Sequence, residues 1–244
     1  MNQSNRFNPS KERVGANYRA VSERIQAAAS RSGRLVDEIQ MIAVTKYVDA
    51  TISRWLVELG CSTLAESRPQ VLWEKAAALS DLQVDWHLIG HLQRNKAKKT
   101  LPLISTMHSL DSTRILEQIL QETVERPQPL RMLLEINVSG NREKTGMLLS
   151  EGEQLLDWWQ SKAHEFPRIS VGGLMGMGSL EGGADQARRD FAALRNLRDS
   201  WSIRFGMPLK ELSMGMSEDF EIAIEEGATM VRIGSILFAE PGTS

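Results

Sequence analysis

Ile39-Gln-Met-Ile-Ala-Val-Thr-Lys46 is an apolar run that ends on a lysine. Its centre, Met41–Val44, lacks the polar–apolar alternation of a half-solvated strand and fits a parallel strand buried on both faces. Seven similar short runs follow: Thr63–Ala65, Trp86–Ile89, Thr106–Leu110, Met132–Val138, Ile169–Met175, Leu212–Met214 and Met230–Ile233. Helical spacing recurs between them, in Ile115, Leu116, Ile119, Leu120 and Val124 and in Phe191, Leu194, Leu197 and Trp201. Val14, Tyr18, Val21 and Ile25 mark another helix ahead of the first strand, and Ser150 with Glu153 reads as a capping box before Leu155 and Leu156. Repeated βα units in a chain of 244 residues predict an α/β fold, a single closed (β/α)8 TIM-like barrel. An open doubly wound sheet is the competitor; it is disfavoured because no Gly-x-Gly-x-x-Gly opens the first βα turn. No low-complexity linker divides the chain, so residues 1–12 read as a polar N-terminal arm and 13–240 as one barrel domain.

Composition narrows the function classes. The formal net charge is −2 and the pI about 6.1, which gives no global attraction to nucleic acid or anionic membrane. The single cysteine, Cys61, excludes an internal disulfide framework and fits a reducing compartment. The first ten residues lack the apolar stretch of a secretion signal, and no run reaches membrane-spanning length, so a cytoplasmic location is expected.

A barrel gathers its chemistry at the carboxyl ends of the strands. Read in order, those ends carry Lys46, Glu66-Ser67-Arg68, His87 with Gly90, His108-Ser109, Asn137, Met175, Ser213 and Arg232. Lys46 is a candidate Schiff-base nucleophile if desolvation or a neighbouring cation leaves it a free amine; otherwise it is a surface lysine opening a loop. Ser213-Met-Gly-Met-Ser217 and Arg232-Ile-Gly-Ser235 resemble a phosphate cradle: Gly215 and Gly234 admit an anion to backbone N–H groups, and Ser213 and Ser235 add hydroxyls. Ser217 is equally placed to cap the next helix. Arg232, inside an apolar strand, must find a partner, either a core carboxylate such as Glu135 or Glu66 or a ligand group. An amine and a phosphate seat together are the minimum equipment for holding pyridoxal 5′-phosphate (PLP). His87 and His91 lack the companions of a zinc site, and His87 reads as a strand-end histidine near the pocket. Arg94, Lys96, Lys98 and Lys99 read as a solvated helix face, and one of the adjacent Trp158 and Trp159 as exposed or facing a partner.

These stretches resemble the PLP homeostasis protein family, related to the barrel domain of alanine racemases. The strongest parts are Ala43-Val-Thr-Lys46, Trp86-His-Leu-Ile-Gly-His-Leu-Gln-Arg-Asn-Lys96, Ile136-Asn-Val with Glu143-Lys-Thr-Gly146, Gly173-Leu-Met175, Leu212 to Glu221 and Val231-Arg-Ile-Gly-Ser235. The resemblance implies a monomeric fold-type III barrel without the racemases' second β domain, and PLP held as an aldimine on Lys46. It further implies Arg232 toward the pyridine nitrogen, Ser213, Gly234 and Ser235 around the phosphate, and Asn137, Met175 and His87 lining the pocket. Where the family pattern has Gly-Glu-Asn-Arg-Val-Gln, this chain has Ala65-Glu-Ser-Arg-Pro-Gln70, which removes an asparagine from that loop.

Racemases use a tyrosine on the far side of the cofactor; here the tyrosines are Tyr18 and Tyr47, and Tyr47 directly follows the lysine. A weak electron sink without a second acid/base implies little or no catalysis. The implied role is intracellular vitamin B6 homeostasis, with apo-PLP enzymes or a regulatory protein as partners. The alternatives are a PLP-dependent amino-acid racemase, an aldolase-like barrel using Lys46 on a sugar phosphate, and a binding hub built on Trp158/Trp159 or the basic run.

Overall fold

The computed structural model describes residues 7–123, 128–138, 145–179 and 182–240. Eight parallel strands close into a barrel in sequence order: β1 Gln40–Val44, β2 Thr63–Glu66, β3 Asp85–Leu88, β4 Thr106–Leu110, β5 Leu130–Glu135, β6 Ile169–Met175, β7 Glu211–Ser213 and β8 Met230–Ile233. Helices α2 Ala50–Glu58, α3 Pro69–Ala78, α4 Arg94–Thr100, α5 Thr113–Thr123, α6 Leu149–Lys162, α7 Gly183–Arg204 and α8 Phe220–Glu225 link successive strands, and α9 Ser235–Phe238 follows β8. An additional helix, α1 Lys11–Arg31, precedes β1 and packs on α2, α8 and α9, outside the seam where β8 meets β1. The buried Val14, Val21, Ile25, Ala28 and Ala29 form its inner face.

The apolar runs are explained by two-sided burial. In β1, Ala43 belongs to the layer between sheet and helices, while Ile42 and Val44 fill the barrel interior with Ala65, Leu133, Met175 and Met230. β8 pairs with β1 in the register Ile42↔Arg232, so ring closure sets the first and eighth strands side by side. The interior departs from the usual filling of branched aliphatics. His87, His108, Ser213 and Arg232 are also buried within it.

Several sequence-based boundaries shift. β5 ends at Glu135, because Ile136 leaves the sheet to bridge Met147; Asn137 N–H donates to the Met147 carbonyl, and Gly146 turns at φ 103°. The capping box expected at Ser150 and Glu153 is displaced: α6 begins at Leu149, and the Glu151 carboxylate accepts from Leu148 N–H at 2.8 Å. Trp159 is buried, and Trp158 is half-buried against the same core, not a free exposed face. Met1–Arg6 of the expected arm, and Val124, Glu143 and Lys144, lie outside the described residues. Phe7 packs its ring 6.3 Å from Tyr47 and 6.2 Å from Phe238.

Candidate functional site

The carboxyl ends of β1 and β8 and the segment after β7 enclose a cavity of about 220 Å³. Its lining includes Val44, Lys46, Tyr47, Ile89, Ser217 and Asp219, with Arg232, Gly234 and Ser235 on the β8 side. Thus four of the eight residues singled out from sequence, Lys46, Arg232, Gly234 and Ser235, share one mouth. The half-buried Lys46 has its amine 4.9 Å from the centre of the Tyr47 ring. Tyr47 therefore stands on the lysine's own side of the cavity.

A buried ion pair anchors the backbone that carries Lys46. Lys75 Nζ donates to the Thr45 carbonyl at 2.7 Å and to Glu66 Oε1 at 2.6 Å, and the Thr45 hydroxyl donates to the same oxygen at 2.6 Å. Glu66 is fully buried, and its Oε2 is the buried side-chain oxygen left without a hydrogen-bond partner among the described residues. Burial pushes the Lys75 ammonium down, and the Glu66 charge pulls it back.

Arg232 is treated differently. Its Nη1 donates to the Ser213 carbonyl and to Ser213 Oγ, both at 2.7 Å, and its Nη2 donates to the Gly176 carbonyl at 3.1 Å. Neither Glu135 nor Glu66, the carboxylates expected from sequence, forms an ion pair with it among the described residues. Burial pushes its pKa down to about 10, with Asp219 and Glu135 acting in the opposite direction from further off. A guanidinium 5% exposed and bonded, among the described residues, to neutral groups retains donors for an acceptor arriving through the cavity.

The segment after β7 shapes the remaining wall. Gly215 turns at φ 89°, where a Cβ would lie 2.5 Å from Ala223 Cβ, and its carbonyl accepts from Arg232 N–H. Ser217 does not cap α8: that helix starts at Phe220, and Ser217 Oγ accepts from Gly234 N–H at 3.2 Å. Asp219 Oδ1 accepts from Met216 N–H at 2.6 Å, closing this turn.

The other four candidates lie elsewhere. His87 was expected at the mouth, but β3 aims it into the barrel interior, where it bonds His108 and Asp85 and lines a cavity at the opposite end. Ser213, expected around a phosphate, is fully buried between His108 Nδ1 and Arg232. Met175 packs in the interior cluster beneath the mouth, beside Val44. Asn137 lines a separate small recess with Glu135, Thr145 and Gly176. Sequence reading left Ser217 between the phosphate cradle and a helix cap, and it missed Asp85, although two-residue spacing places Asp85 on the same strand face as His87. Among the described residues there is no group of three or more His, Cys, Asp or Glu able to hold a metal, and no helix is long and apolar enough to cross a membrane.

The chain is 37% identical over 220 residues to the pyridoxal phosphate homeostasis protein of Aquifex aeolicus, covering 90% of this chain and 95% of that one. The chain belongs to the pyridoxal phosphate homeostasis protein family. The family model for the alanine racemase N-terminal domain matches residues 16–241. A solved member, PipY of Synechococcus elongatus with PLP bound, superposes with a TM-score of 0.75 at 29% identity, covering 90% of this chain and 100% of that chain. The alanine racemase of Streptomyces lavendulae superposes with a TM-score of 0.71 at 15% identity, covering 96% of this chain and 59% of that chain. That last likeness is one of fold.

Proposed function

We propose that this protein binds pyridoxal 5′-phosphate in the cavity at the carboxyl end of the barrel and serves to hold and release the cofactor with little or no turnover. The reading rests on one observation: the Lys46 amine and the Arg232 guanidinium, brought together by the β1–β8 seam, line the same cavity as Ser217, Gly234 and Ser235. These are the donor types that a phosphorylated aromatic aldehyde calls for. The PLP-bound PipY, at 29% identity, supports PLP as the ligand.

In this reading Lys46 would hold the aldehyde carbon as a Schiff base, the carbonyl oxygen leaving as water, and the bound group would supply an electrophilic ring. Arg232, a donor with no accepting atom, would hold the ring nitrogen as an acceptor. Because Ser217 Oγ already accepts from Gly234 N–H, its own hydrogen is free to point at a phosphate, beside the Ser235 hydroxyl. Asp219 also borders this wall, where burial raises its carboxyl pKa above the ordinary aspartate value. An arginine at the ring nitrogen restrains carbanion chemistry, and Tyr47 on the lysine's side supplies no acid for the opposite face. A protein so equipped stores and hands on cofactor; its expected setting is the cytoplasm, as a monomer, with apo-PLP enzymes as recipients.

The test is the visible spectrum of the purified protein, followed by borohydride reduction and peptide mapping. The expected result is a coloured protein whose reduced adduct maps to Lys46, with Lys46→Ala colourless. An adduct on another lysine, or a Lys46→Ala protein that keeps the band, would refute the assignment. Deuterium exchange at Cα of amino acids would instead favour racemase action.

A further inference from the structure

A continuous string of hydrogen bonds crosses the barrel interior from the mouth to its opposite end. Arg232 Nη1 donates to Ser213 Oγ at 2.7 Å, so the serine hydrogen is available to His108 Nδ1, 2.8 Å away. His108 Nε2 lies 2.9 Å from His87 Nδ1, and His87 Nε2 lies 3.1 Å from Asp85 Oδ2. Asp85 Oδ1 in turn accepts from the Ser105 hydroxyl. His87 and His108 are 1% and 0% exposed, whereas the Asp85 side chain is 40% exposed. Asp85 borders a cavity of about 640 Å³ at the amino ends of the strands, with Gln40, Ser105 and Arg131 among its lining.

The two ends dictate the polarity of everything between them. Arginine only donates and a carboxylate only accepts. With Ser213 donating to Nδ1, neutral His108 carries its hydrogen on Nε2 and offers it to His87 Nδ1. His87 then carries its hydrogen on Nε2 and offers it to Asp85. The reverse arrangement leaves the Ser213 hydrogen without an acceptor and sets a bare His87 nitrogen against a carboxylate unless Asp85 is protonated. Burial, the neighbouring His87 and the charges of Arg232 and Arg131 hold the His108 pKa well below the usual imidazole range, in keeping with a neutral ring. The charged groups around the string are Arg131, paired with Glu211 at 3.0 Å, at the lower end, and Glu135 and Asp219 near Arg232.

We infer that Asp85, His87, His108 and Ser213 are positioning residues for Arg232, forming a one-way chain that orients its guanidinium and carries the charge state of the lower cavity to the ligand site. This deepens the proposed function and rests on it for the identity of the ligand. The chain itself is defined without any ligand. Asp85 therefore influences the mouth from the opposite end of the barrel, through four hydrogen bonds and no contact with what is bound there.

The experiment has two arms on the full-length chain. Nitrogen-15 NMR of the imidazoles in ligand-free protein is expected to show His87 and His108 as neutral Nε2–H tautomers. Asp85→Asn places an amide donor against His87 and is expected to switch His108 toward Nδ1–H. In the second arm, Asp85→Asn weakens PLP affinity about tenfold and shifts the pH profile of the bound-cofactor absorption, while Asp85→Glu restores both. A merely structural role for Asp85 would lower the melting temperature without moving the tautomer or the absorption profile. If Asp85→Asn does not fold, Asp85→Ala, which removes the acceptor that ends the chain, is expected to move the same tautomer signals and the same affinity in the same direction. A wild-type Nδ1–H tautomer at His108, or a folded Asp85 variant with unchanged tautomers and PLP affinity, overturns the inference. If wild type binds no PLP, the functional reading falls, and the tautomer arm still decides whether the chain exists.

Discussion

Among the described residues the fold buries two Lys/Arg cations, Lys75 and Arg232, and it treats them in opposite ways. Lys75 sits against Glu66 at 2.6 Å and spends its other bond on the Thr45 carbonyl, so its charge is answered within the fold. Arg232 is answered by two carbonyls and a hydroxyl, with no carboxylate at ion-pair distance among the described residues, and it borders a cavity. An isolated buried charge is expensive, and folds retain one when something else uses it. The paired cation fixes the strand end that presents Lys46. The unpaired one keeps part of its binding capacity for a visitor.

Breaking the closed pair should have the largest effect on stability. Glu66→Ala or Lys75→Met strands the partner charge, with an expected loss of about 3–5 kcal/mol in urea unfolding. The double replacement Glu66→Leu/Lys75→Met should lose less than either single change. Arg232→Met should cost less, about 1–3 kcal/mol, because it removes a charge and leaves neutral acceptors unsatisfied. Its PLP affinity, measured by equilibrium titration, should nevertheless collapse. If Arg232→Met destabilises the fold as much as Glu66→Ala while binding survives, the contrast between the two cations is lost.

The smallest effect concerns Asp219. Burial raises its carboxyl, against the Met216 N–H bond and the Arg232 charge, which lower it. A raised acid holds its proton more tightly in the folded chain. Its contribution to stability is therefore present below the ordinary aspartate value and is lost as pH rises through the folded value. Asp219→Asn keeps an acceptor for Met216 and removes the titration. The fall in unfolding free energy just above the ordinary aspartate range should flatten, and unfolding curves at a series of pH values would check it.

Eight strands were legible because two-sided burial writes itself as unbroken apolar runs, and Lys46 and Arg232 stood out as charges at or within such runs. Depth inside the barrel was not legible. His87 and Ser213 lie near the ends of β3 and β7, yet both point into the interior and bond to residues from other strands. Those partners are chosen by closure of the ring, which no local pattern encodes. Ser217 was ambiguous for a related reason: its partner, Gly234, belongs to the next βα unit. The Glu66–Lys75 pair spans nine residues, so helical and strand spacing could not reveal it.

The seam between β1 and β8 carries a consequence for biosynthesis. Lys46 emerges well before Arg232 in synthesis, and the register that joins Ile42 to Arg232 sets their strands side by side. A nascent chain stalled after seven strands owns the amine and lacks the guanidinium. On the proposed reading, competence to take up the vitamin arrives in one step, when the eighth stave locks home, and colour in a translating ribosome–chain complex is the expected sign of ring closure.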